Sequence, residues 1–66
     1  MSKSKVVKSY RVETLEKEGK DYIVLVLKTE EGEDSYLLEW GYFARNLAVD
    51  IMKYNSEISV RKRYSL

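Results

Sequence analysis

The sequence predicts an α+β domain of order βββαβ: an antiparallel three-stranded meander, one helix packed on one face of it, and a short C-terminal fourth strand. Three observations predict this. Three short strand-like runs occupy the first forty positions, the outer two alternating and the middle one apolar on both faces, two charged segments containing Gly19 and Gly32 separate those runs, and beyond Gly41 the apolar period changes to about 3.6. With 66 residues and no linker or repeat, the chain reads as one small domain, residues 1–66, with 1–5 expected to form a flexible basic arm.

VVKSYRVETL (6–15) alternates as a strand, with Val6, Tyr10 and Val12 on one side and Ser9, Arg11 and Glu13 on the other. EKEGKD (16–21) is a charged turn in which Gly19 is free to take a positive φ. DYIVLVLK (21–28) supplies a second strand with apolar side chains on both faces, and TEEGED (29–34) a second turn. SYLLEW (35–40) places Tyr36, Leu38 and Trp40 on one face of a third strand.

From Tyr42 to Tyr54 the residues Phe43, Ala44, Leu47, Ala48, Ile51 and Tyr54 fall within an arc of about 140°, which predicts an amphipathic helix of three to four turns. Gly41 is a mediocre N-cap, and Asn55 is expected to end the helix in the left-handed conformation. EISVRKRYSL (57–66) then alternates as a fourth strand, with Ile58 and Val60 on one side and Ser59, Arg61 and Arg63 on the other. It should run parallel to the first or the third strand, whichever offers a free edge.

This arrangement leaves apolar surface over. Ile23, Leu25 and Leu27 face the helix together with Tyr10, Val12, Tyr36, Leu38, Ile58 and Val60. The opposite face carries Val7, Val24, Val26 and Leu37, with Tyr22 on its rim. Four aliphatics at up to about 1.5–3 kcal/mol each for full burial are costly to leave wet in a domain of this size. That face is therefore the expected interface of a homodimer or a protein complex. Tyr42 and Val49 lie on the polar arc of the helix and read as scattered surface apolars.

The composition limits the chemistry. With no Cys and no His there is no imidazole base, no Ser–His or Cys–His nucleophile, and neither disulfides nor the usual zinc sets to staple a small fold. Self-association remains as a source of extra stability. Eight of the eleven acids sit in or beside the two turns, where solvent favours a plain charged-turn role over acid–base work. Glu18-Gly19-Lys20 and Glu30-Glu31-Gly32-Glu33-Asp34 lack the spacing of a nuclease or calcium site. The expectation is a protein without catalytic activity, cofactor or metal. No apolar run approaches the roughly 18 residues of a membrane span, and none follows the basic start as a signal peptide requires, so a cytoplasmic protein without membrane contact is expected.

Net charge is +1, but its distribution is uneven: both ends are basic and the middle is acidic. Lys3, Lys5, Arg11, Arg61, Lys62 and Arg63 are candidate contacts to nucleic-acid phosphates, provided the fourth strand lies beside the first. Two functions follow as expectations. One is a self-associating nucleic-acid-binding module using the basic ends, through either DNA or RNA backbone. The other is a protein-interaction or inhibitor module using Val7, Val24, Val26 and Leu37.

Overall fold

The computed structural model describes residues 4–64 and has the order βββα. Strands β1 (Ser9–Lys17), β2 (Lys20–Thr29) and β3 (Gly32–Glu39) form one antiparallel sheet in the order β1-β2-β3. A single helix, α1 (Tyr42–Tyr64), follows. The α+β class and the meander are as the sequence predicts.

Both hairpins are tighter than the six-residue charged segments suggest. Lys17 pairs with Lys20 and Thr29 with Gly32, so each loop is two residues long. At the first, Glu18 (φ 54°) and Gly19 (φ 78°) are both left-handed, the backbone of a type I′ turn whose twist matches that of paired strands. At the second, the Glu31 N–H donates to Thr29 Oγ1 at 3.1 Å, a side chain standing in for a backbone turn contact. The charged residues Glu16, Lys17, Lys20 and Asp21 thus continue the ladder instead of interrupting it.

The register sorts the side chains, because directly paired residues project to the same face. Tyr10, Val12 and Thr14 oppose Leu27, Leu25 and Ile23, which in turn oppose Asp34, Tyr36 and Leu38. We call this face A. Face B carries Arg11, Glu13 and Leu15 opposite Val26, Val24 and Tyr22, and beyond them Ser35, Leu37 and Glu39.

The fourth strand is not formed. Residues 57–64 are the last two turns of a helix 23 residues long. Asn55 takes no left-handed conformation, Glu18 being the one non-glycine with positive φ among the described residues. The physical reason is the absence of a stop: no Gly or Pro follows Asn55, Glu57 stands four residues before Arg61 in the favourable orientation, and Arg61, Lys62 and Arg63 complement the C-terminal end of the helix dipole. Ile58 and Val60 alternate as a strand would, but on the helix Ile58 simply extends the stripe of Leu47, Ile51 and Tyr54.

The helix does not cover the sheet. It meets β3 near its own start, where Ala44 and Leu47 are half-buried, and from Ala48 to Tyr64 every residue is exposed. At about 1.5 Å per residue the rod is roughly 34 Å long, and the molecule measures 53 × 29 × 24 Å. Its radius of gyration is 15.2 Å, against about 10.8 Å for a compact chain of this length.

Candidate interaction surface

Among the described residues a single side chain is buried: Val26, 4% exposed, at the centre of face B between Arg11 and Ser35. The sequence pattern places the helix over face A and leaves face B for a partner. In the structure the open apolar surface is face A. Tyr10 is 74% exposed, Val12 55% and Tyr36 50%, while Ile23, Leu25, Leu27 and Leu38 are half-buried.

Of the five residues expected at an interface, Tyr22, Val24, Val26 and Leu37 do share face B. Val7 precedes β1 and is exposed, Leu37 is exposed, and Tyr22 and Val24 are half-buried. Face B is also the more polar of the two, since Arg11, Glu13, Lys28, Glu33 and Glu39 project from it. Arg11 Nε donates to Glu13 Oε2 at 2.6 Å beside the Val24–Val26 pair. Face A, whose members the alternation assigns to an internal contact with α1, is thus left open in the structure.

The helix offers a matching stripe. Phe43, Leu47, Ile51, Tyr54 and Ile58 recur at spacings of four and three, and Ile51 is 61% exposed. A compact chain of 7.8 kDa exposes about 4,400 Å², whereas this one exposes 6421 Å². The excess, roughly 2,000 Å², is more than one partner contributes to an ordinary protein interface, about 800 Å².

The candidate phosphate contacts are not gathered on one surface. Lys3 lies outside the described residues. Lys5 Nζ pairs with Glu31 at 3.2 Å and Lys8 Nζ with Glu30 at 3.7 Å, so the basic N-terminal segment folds against the acidic β2–β3 turn. The hydrogen bond and charge of Glu31 hold the Lys5 ammonium above its ordinary pKa, with smaller help from Asp34 and Tyr36. Lys8 also continues the ladder, its backbone N–H donating to the Lys28 carbonyl at 2.7 Å. Arg61, Lys62 and Arg63 lie on the last turn of α1, where successive residues point about 100° apart. The convergence of Arg11, Arg61 and Arg63 required a fourth strand beside β1, and it is lost with that strand.

No protein-family model, characterised protein or solved structure matches this chain.

No cluster of three potential metal-ligating side chains occurs among the described residues. No helix among them is long and apolar enough to cross a membrane. The shallow cleft at the β2–β3 turn is lined by Lys5, Lys8, Glu30 and Glu31, whose charges compensate one another.

Proposed function

We infer that this protein is a non-enzymatic interaction module that binds another protein through face A of its sheet and the apolar stripe of α1. One observation carries the reading: with a single buried side chain among its described residues, the chain has too little core to hold a fold by itself. Folding of the lone chain removes about 43% of the area an unfolded chain of this mass exposes, where a domain of this length ordinarily removes about 60%. Apolar surface of this extent on a soluble chain marks a binding site.

The test is the stability of the purified chain, read with an apolar dye. The module reading expects either a melting temperature that rises with protein concentration or a loosely folded, dye-binding chain. A monomer that melts above about 60 °C, independently of concentration and without binding dye, overturns it.

A second reading has one observation in its favour. Arg61, Lys62 and Arg63 have no acidic partner within ion-pair distance among the described residues, unlike Lys5, Lys8 and Arg11. The C-terminal turn of α1 thus suits contact with a nucleic-acid backbone. Binding of mixed-sequence DNA or RNA should then weaken steeply with salt, and Arg61→Ala with Arg63→Ala should flatten that dependence. Binding that ignores both salt and the two substitutions removes this reading.

A further inference from the structure

We propose that the partner is a second copy of this chain and that the two copies exchange helices, the stripe of each α1 lying across face A of the other's sheet. The proposal rests on the interaction-module reading and names its occupant. Three independent features select it.

The first is area. Burying the excess of roughly 2,000 Å² on each of two copies gives an interface of about 4,000 Å², within the 2,000–5,000 Å² range of obligate homodimers. The second is length. Strands of eight to ten residues span about 27–34 Å, and α1 about 34 Å, so one helix runs the full length of one sheet.

The third is charge, and it distinguishes this pairing from the others. Residues 4–39, the sheet with the N-terminal segment that pairs onto it, carry nine acids against six bases, a net charge of −3, while residues 42–64 carry five bases against two acids, a net of +3. A two-fold dimer joined sheet to sheet sets −3 against −3, and one joined helix to helix sets +3 against +3. Only a reciprocal helix-on-sheet arrangement brings opposite charges together. Face A also ends in carboxylates that a basic helix end can meet, Glu16 and Asp21 at one end and Asp34 at the other.

The connection allows such an exchange. Two residues, Trp40 and Gly41, separate β3 from α1, and Gly41 holds a φ of 105° that other residues rarely adopt. Helix and sheet are thus joined through one permissive backbone position. The first helical hydrogen bond, from the Arg45 N–H to the Gly41 carbonyl at 3.0 Å, starts directly after it.

The experiment uses the full chain. Isotopically labelled and unlabelled protein are mixed after unfolding and refolding, and contacts between unlike copies are read by isotope-filtered NMR alongside the sedimentation mass. Expected are a mass about twice the 7.8 kDa of one chain and contacts from the Ile51 and Ile58 methyls of one copy to the Leu25 and Leu27 methyls of the other. Arg61→Glu with Lys62→Glu, both exposed and on the stripe side of α1, should raise the dimer dissociation constant at least tenfold at low salt and much less at high salt.

A dimer whose helix–sheet contacts stay within one copy, or whose sheets meet each other, overturns the exchange and leaves the module reading in place. A loosely folded, dye-binding monomer overturns the second copy as partner but not the module. A stable, dye-free monomer overturns both.

Discussion

Residues 22–28 of β2 are paired on both sides, whereas α1 from Ala48 onward is exposed at every position. The contrast separates two kinds of determination. The sheet is specified by neighbours close in sequence: two-residue turns bring each strand back on the last, and alternation fixes which residues share a face. The helix is specified by its own sequence alone, whereas in proteins most of a helix's stability comes from packing of its apolar face. What the sheet lacks is an apolar cover with basic flanks, and what the helix lacks is an apolar floor with acidic flanks. Each half of the molecule has the complement of the other, and in the lone chain the helix meets the sheet at β3, with Ala44 and Leu47 the half-buried residues of α1.

The strongest way to break this comparison is to remove the stripe. Ile51→Asp with Ile58→Asp deletes two side chains whose full burial contributes about 1.5–3 kcal/mol each, so the assembled state should lose about 4 kcal/mol per subunit. Sedimentation should show loss of association, and urea melting a lower midpoint. The control uses two apolar residues on the opposite arc, Val49→Asp with Val60→Asp, which should leave the mass unchanged. Equal effects from the two pairs would remove the stripe as the contact.

A smaller effect sharpens the difference between the two faces. Val26→Ala removes methyl groups from the one buried site and should cost about 1–2 kcal/mol in any state of association. Val12→Ala, on face A and 55% exposed in the lone chain, should cost less than about 0.5 kcal/mol if that face stays in water. If a partner covers face A, Val12→Ala should approach the cost of Val26→Ala. Urea midpoints measured at two protein concentrations decide between these outcomes.

The same contrast explains how far the sequence could be read. The three strands, their order and the membership of each face were legible because alternation and turn chemistry are local, down to the positive φ of Gly19. The start of the helix after Gly41 was legible from the change of period. Its end was not: Asn55 suits a left-handed cap, and Ile58 and Val60 suit a strand, but without Gly or Pro nothing forces the chain out of the helix. Extending the rod through Tyr64 removed the fourth strand and, with it, the expected meeting of Arg11, Arg61 and Arg63. Docking of the helix was not legible for a different reason. Amphipathicity states which side of an element is apolar, but not which surface, or which copy of the chain, it meets.

Within the sheet, the β1–β2 turn carries a local conflict that a substitution can relieve. Glu18 occupies a left-handed position that Asn and Gly adopt at lower cost, and its partner in the turn, Gly19, is already glycine. Glu18→Asn should therefore raise stability by about 0.5–1 kcal/mol, seen as a higher urea midpoint with an unchanged slope. Because the turn lies outside the stripe and face A, the association constant should not move. A change in association would tie this turn to the interface.

The smallest expected effect concerns the N-terminal segment. Lys5 and Glu31 are both well exposed and 3.2 Å apart, so their ion pair contributes little to stability. It should still be visible as a titration. The pKa of Lys5 is raised by its bond to Glu31, which means the contact is fully present below the ordinary lysine pKa and is lost as pH rises through the higher, folded-state value. NMR titration should show Lys5 deprotonating above its ordinary pKa, and Glu31→Gln should remove most of that upward shift while leaving the urea midpoint unchanged. A midpoint that falls measurably would mean that the segment 4–8 is held to the β2–β3 turn more firmly than two solvated charges allow, and that the N-terminal arm belongs to the folded unit.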